Sequence, residues 1–142
     1  SSLPVGGRSS PMFRMIEVPR IGDAERGYLS FVEAQKELIP FPIRRVYFVY
    51  EVPEGVTRGG HAHREVEQVF FCIKGMCNFM LEECPGQVKS VWLDAPEVGV
   101  LVGPMVWHTM RFYEGCVLLA LASGYHDERE NIRDRAEWER LV

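Results

Sequence analysis

The sequence predicts an all-β fold, a sandwich or barrel of short strands followed by one C-terminal helix. Runs of β-branched and aromatic residues, such as RRVYFVYEV (44–52) and CVLLALAS (116–123), recur along the chain and are separated by glycine and proline at short intervals. Nothing between residues 28 and 123 has the apolar spacing of a long helix. The tail DERENIRDRAEWERLV (127–142) is highly charged, and Asp127 stands three places before Glu130, the spacing of a capping box.

Taken in order, YLSFVEA (28–34) reads as a strand, and KELIPFPI (36–43), with its two prolines, as a turn or short helical kink. RRVYFVYEV is a long strand and PEGVTRGG (53–60) a loop. HAHREVEQVFFCIKG (61–75) carries one or two strands and stops at Lys74-Gly75; MCNFMLEE (76–83) is the next, with a turn at CPGQ (84–87). KSVWLDAP (89–96), VGVLVGP (98–104) and VWHTMRFY (106–113) follow, the last ending at Glu114-Gly115. CVLLALAS is apolar enough to be central. In the tail, Ile132, Ala136 and Leu141 form the thin apolar stripe of one helix. SSLPVGGRSSP (1–11) reads as a flexible arm or a fusion scar, which leaves residues 12–142 as a single domain.

Composition narrows the partners. The chain has 142 residues, 46% of them apolar, enough for a buried core. A net charge of -4 without a basic run argues against binding a nucleic acid polymer, although a few arginines in one pocket still suffice to hold a phosphate. No apolar run approaches the ~20 residues that span a bilayer, so no membrane partner is expected. Cys72, Cys77, Cys84 and Cys116 make no C-x-x-C pair and mostly lie in or beside apolar runs; they read as reduced thiols of a cytoplasmic protein.

The chemistry concentrates in TRGGHAHREVEQ (57–68). Residues two apart on a strand face the same side, so His61 and His63 share one space, which is the interior if the sheet closes on itself. Gly59 and Gly60 beside them permit close backbone approach to a ligand. Two such imidazoles are either part of a metal cage or a pair placed to move protons.

Gly55, His61, His63 and Gly75, with Pro104 and His108 downstream, resemble the two motifs of the cupin family. That resemblance implies a double-stranded β-helix, a jelly-roll barrel. Its metal-binding form needs a carboxylate that is out of place here: counting back from Gly75 reaches Gln68, and Glu67 fits only if the glycine slips by one. A neutral amide is a poor ligand for a divalent transition metal, so neither a metal nor another cofactor is expected.

A narrower pattern runs through the chain: R-G-x-L at 26–29, R-V-Y-x-x-Y at 45–50, R-G-G-H-A-H at 58–63, E-Q-V at 67–69, P-x-V-W-H at 104–108, L-A-S-x-Y-x-D-E at 121–128 and I-R at 132–133. Together these resemble the sugar nucleotide 3,4-ketoisomerases, the WxcM-like cupin-fold enzymes that act on dTDP-linked 4-keto-6-deoxyhexoses in deoxysugar biosynthesis. Gly124 and His126 depart from that pattern, at places where an aspartate and a tyrosine are frequent.

The resemblance implies an activity with no redox cofactor. The carbonyl at C4 acidifies the proton on C3; a base removes it, an enediolate forms, and an acid delivers a proton to C4. Such a site needs a group titrating near neutrality and donors aimed at the oxyanion. His61 is the candidate base, with His63 as its partner, Tyr47 as a donor to the oxyanion, and Arg58 stabilising the enediolate or holding a phosphate. Arg26, Arg45 and Arg111 are candidates for the diphosphate, Trp107 for packing on a ring, Gln68 for a sugar hydroxyl, and His108 and Tyr125 for lining the pocket. Related readings are a cupin-fold 4-keto sugar epimerase, a metal-dependent cupin, and a sugar-binding module without turnover. The resemblance also implies a homodimer, with YLSFVEA as a strand that two subunits exchange.

Overall fold

The computed structural model describes residues 12–34 and 38–142. Its strands are β1 (Phe13–Glu17), β2 (Ile21–Asp23), β3 (Gly27–Leu29), β4 (Arg45–Val49), β5 (Thr57–His63), β6 (Gln68–Glu82), β7 (Val88–Leu93), β8 (Val98–Val102) and β9 (Trp107–Ala122). A 3-10 turn at Glu128–Glu130 then leads into β10 (Asn131–Ile132) and helix α1 (Arg135–Leu141).

The architecture rests on β6 and β9, which pair along nearly their whole lengths of 15 and 16 residues. Their first and second halves belong to different layers. One layer runs β1-β8-β6-β9-β4 through Gln68–Cys72 and Leu118–Ala122. The other runs β7-β6-β9-β5-β10 through Cys77–Glu82 and Trp107–Phe112. Both strands bend where the register shifts between Cys72 and Met76. Gly75 has φ 76°, and a Cβ there would lie 2.6 Å from the Glu114 carbonyl oxygen, so the corner admits only glycine. The result is the jelly-roll barrel that the cupin resemblance implies.

Between the layers lies a core of Phe70, Phe79, Leu81, Leu93, Val100, Phe112 and Leu118, with Cys72, Cys77 and Cys116 among them. The apolar run VFFC (69–72) is buried on both faces. Phe70 and Cys72 enter this core, whereas Val69 and Phe71 join Ile16, Ile39, Phe41, Leu101 and Leu121 in a second cluster on the outer side. The four cysteines are free thiols, although the sulfurs of Cys72 and Cys116 approach to 3.3 Å.

Several sequence expectations need correction. The turns predicted at Lys74-Gly75 and Glu114-Gly115 are bends within β6 and β9, because a bulge changes a strand's direction without breaking its pairing. The predicted loop 53–60 becomes strand from Thr57 onward. YLSFVEA is strand only as far as Leu29, and β1, unforeseen, pairs with β8. The arm 1–11 and positions 36 and 37 of the predicted 36–43 turn lie outside the described residues.

The tail is not one helix. Asp127 caps only the 3-10 turn, accepting from the Arg129 N–H, and Asp134 caps α1 by accepting from Ala136. Ile132 is buried on a strand and Leu141 is exposed, so the apolar anchor of α1 is the fully buried Trp138. Trp138 packs with Ala62 and Ile132 on the outer side of β5. Arg135 of α1 holds the buried Glu82 carboxylate through two 2.7 Å hydrogen bonds. Pairing a charge there matters, because an unpartnered buried carboxylate is costly.

Candidate active site

Strand parity and register decide which side chains meet. Cross-strand partners in an antiparallel pair share a face, and β9 places His108, Met110, Ala120 and Ala122 toward the interior. His61 pairs with His108, so it faces inward too; His63, two residues on, follows it. In the second half of β9, which lies between β4 and β6, Arg45 and Gln68 both pair with Ala122, while Tyr47 and Phe70 both pair with Ala120. The small side chains of Ala120 and Ala122 leave room between these larger neighbours.

The three histidines form one cluster. The ring centres are 5.0 Å apart for His61 and His63, 4.8 Å for His61 and His108, and 5.7 Å for His63 and His108. His108 lies 3.0 Å through Nδ1 from the Val106 carbonyl oxygen. A carbonyl only accepts, so the proton of the neutral ring sits on Nδ1, and the Nε2 lone pair remains for the pocket. Tyr47 donates its hydroxyl to Gln68 Oε1, with the Arg45 guanidinium 5.1 Å from the Tyr47 ring centre.

Among the described residues, Arg45 Nε, both ring nitrogens of His63, Gln68 Nε2 and His108 Nε2 are buried polar atoms with no protein partner. Buried polar groups are normally hydrogen-bonded, and here those lacking a partner belong to one inner surface. That combination is the signature of a polar ligand site.

Electrostatics keep the imidazoles uncharged at neutral pH. Burial, followed by the neighbouring His108, His61, Arg45 and Arg133, pushes His63 down to about 3. Burial, then His61, brings His108 down to about 4, against the opposing Val106 carbonyl. His61 is also lowered, first by burial and then by Arg133, with the Gly59 carbonyl and Glu128 opposing. The Tyr47 phenol is pushed up to about 12 by burial, so it stays a donor.

A cupin metal would have to use the same imidazoles, whose nearest nitrogens lie within 4.8 Å of one another. No carboxylate or thiolate joins them among the described residues, and the amide oxygen of Gln68 is already taken by Tyr47. This neutral donor set does not fit the carboxylate-containing cage of a metal-dependent cupin.

Other candidate residues fall elsewhere. Arg58 pairs with Met110 and so lies on the inner side at the exposed start of β5. Trp107 and Arg111 sit on the opposite face of β9 from His108. Trp107 packs on Trp138 at 5.5 Å beneath α1, and Arg111 donates to the Gly55 carbonyl at 2.8 Å. In this chain both hold structure rather than line the histidine cluster. Tyr125 is 72% exposed and borders a separate surface cavity of about 570 Å³ with Arg44, Glu65 and Asp127. Arg26 is exposed in the β2–β3 turn, where its backbone N–H donates to Asp23.

One inward residue escaped the sequence reading. β10 pairs Asn131 with His63 and Ile132 with Ala62, which places Arg133 beside His61, with Nη1 3.5 Å from His61 Nδ1. The motif I-R contained it, but reading the tail as a helix hid the pairing.

Fold and site together define a jelly-roll barrel with a histidine-lined polar pocket between its layers. The chain belongs to the family described as FdtA, WxcM-like, C-terminal, whose model matches residues 12–142. It is 38% identical over 130 residues to the TDP-4-oxo-6-deoxy-α-D-glucose-3,4-oxoisomerase of Aneurinibacillus thermoaerophilus, covering 91% of each chain. It also resembles the sugar 3,4-ketoisomerase QdtA of Thermoanaerobacterium thermosaccharolyticum in complex with TDP, with a TM-score of 0.86, 37% identity, and 92% and 93% of the two chains covered. A histidine-to-asparagine variant of QdtA, in complex with TDP-4-keto-6-deoxyglucose, gives a TM-score of 0.85 at 37% identity, with the same 92% and 93% coverage.

Proposed function

We propose that this protein is a 3,4-ketoisomerase that moves the ketone of a TDP-linked 4-keto-6-deoxyhexose from C4 to C3. The observation that carries the reading is the inward cluster of uncharged imidazoles beside buried polar atoms that lack protein partners. Its relatives act on or bind this substrate class. His61 takes the C3 proton, which a neutral imidazole can do and an imidazolium cannot, and the imidazolium so formed, after exchange with solvent, delivers a proton to C4. His63 and His108 accept from the sugar hydroxyls and relay the proton that passes between O3 and O4. Tyr47, held protonated, turns its hydroxyl from Gln68 to donate to the enediolate. Arg45 and Arg58, at the rim of the same inner face, are the nearer candidates for the diphosphate. Residues 12–142 act as one domain.

We further propose a homodimer. Val46 and Phe48 on the outer side of β4, and Tyr50 just beyond its end, are each more than half exposed, and Val46 borders an apolar cavity of about 370 Å³ shared with Phe31, Ile73 and Leu119. A second copy of the chain is the occupant proposed, since large exposed apolar patches mark interfaces and twofold dimers are the commonest assembly. An exchanged segment around Tyr28 is part of this proposal. The free thiols support a cytoplasmic site.

The test is turnover of TDP-4-keto-6-deoxyglucose in deuterated water, followed by NMR. A 3-keto product with deuterium at C4 is expected. Deuterium at C3 and C5 with the C4 ketone retained would instead make the protein an epimerase, and binding without turnover a sensor module.

A further inference from the structure

Arg133 has the geometry of a working residue. Its backbone is fixed rather than part of a loose tail: Ile132 is buried and paired with Ala62, and Trp138 further anchors the segment. Glu128 holds the guanidinium from behind, Oε1 accepting from Nε at 2.6 Å, which turns the Nη end toward the pocket. Nη1 then lies 3.5 Å from His61 Nδ1. A guanidinium only donates, so the Nδ1 lone pair and the cation face the same small space. The contact is long for a hydrogen bond, so Nη1 gives up little when it turns to a substrate atom.

A base removing a proton from carbon must lie about 3–3.5 Å from that carbon in a reactive pose. The carbonyl oxygen on the adjoining carbon, O4, is only two bonds further on. In the reaction proposed above, this oxygen takes the negative charge of the enediolate as the C3 proton leaves. We propose that Arg133 is a catalytic residue of this isomerisation, its Nη end holding the sugar oxygen that becomes anionic while His61 takes the neighbouring proton. The inference rests on the ketoisomerase reading. Fixed donors aimed at a developing oxyanion are worth more than mobile ones, and the Glu128 clasp provides that fixity.

The charged and titratable groups around His61 are His63 on β5, His108 on β9, and Arg133 and Glu128 from the tail, with Arg45 of β4 acting on His63. Arg133 therefore also opposes protonation of His61, which favours the base form.

The experiment compares wild type, Arg133→Met, Arg133→Gln and Arg133→Lys with TDP-4-keto-6-deoxyglucose, measuring kcat, KM, TDP affinity by calorimetry, and the pH profile of kcat/KM. Loss of one oxyanion donor typically lowers kcat by about 10²–10³-fold, and that fall is expected in the Met variant at unchanged TDP affinity. The Lys variant should recover at least about tenfold of it, because charge is kept while the fork is lost. The acid limb of kcat/KM should move to higher pH in the Met variant, as His61 becomes easier to protonate. Should the Met variant not fold, the Gln variant carries the same expectations. Turnover within about threefold of wild type in a neutral variant, or a loss confined to TDP affinity, overturns the assignment. A wild-type protein that does not turn the substrate over overturns the ketoisomerase reading instead.

Discussion

Acidification should unfold this protein earlier than its carboxylates alone require, and the buried imidazoles are the reason. His63 and His108 are held at about 3 and about 4 in the folded chain, against an unperturbed value of about 6.5 when unfolded. The unfolded chain therefore takes up protons first as pH falls. The stabilising effect of these groups is intact above about 6.5 and declines through the window down to their folded values. Between pH 7.5 and pH 5, each histidine moves through about 1.5 units in which only the unfolded state binds its proton. That is a loss of about 2 kcal/mol per ring, or about 4 kcal/mol for both, before any coupling between them. Urea denaturation at the two pH values, for wild type and a His63→Gln/His108→Gln double variant, measures it. The carboxylates are common to both proteins, so the difference in pH dependence belongs to the imidazoles. The variant should lose about 4 kcal/mol less than wild type. Equal losses in the two proteins would show that the rings are not held uncharged.

His61→Asn should lower turnover by about 10²–10⁴-fold, the usual share of general acid–base catalysis, with the thermal midpoint unchanged because the ring is only half-buried. Tyr47→Phe should lower kcat while leaving TDP affinity intact, measured by steady-state kinetics and calorimetry; an equal rise in KM would make Tyr47 a simple binding group. Trp138→Phe keeps most of the buried ring but loses the 2.8 Å hydrogen bond to the Met105 carbonyl, for a cost of about 1 kcal/mol by denaturant titration. Phe48→Glu places a charge on the apolar face of β4 and should convert a dimer to monomer in sedimentation velocity, whereas an unchanged sedimentation coefficient would move the interface elsewhere.

Local pattern and spacing were enough for part of this. Apolar and aromatic runs between glycines and prolines made the fold all-β, and the one-residue spacing of His61 and His63 put both rings on one face. What a single strand's periodicity does not contain is pairing. Lys74-Gly75 and Glu114-Gly115 look like turns, yet β6 and β9 continue through them because the partner strand follows the same bend. Trp107 and His108 are adjacent in the chain and opposite in the barrel, and only the register with β5 and β6 says which of them faces the pocket. Arg133 sits in a segment whose charges suggest helix, but two residues of pairing with β5 outweigh that propensity and bring it to His61. The amino-acid order determined the chemistry available, imidazoles, phenol and guanidinium, and the alternation that presents them. The tertiary structure decided which of them meet, because cross-strand partners are distant in sequence and their burial, which keeps the histidines uncharged, exists only once the layers close.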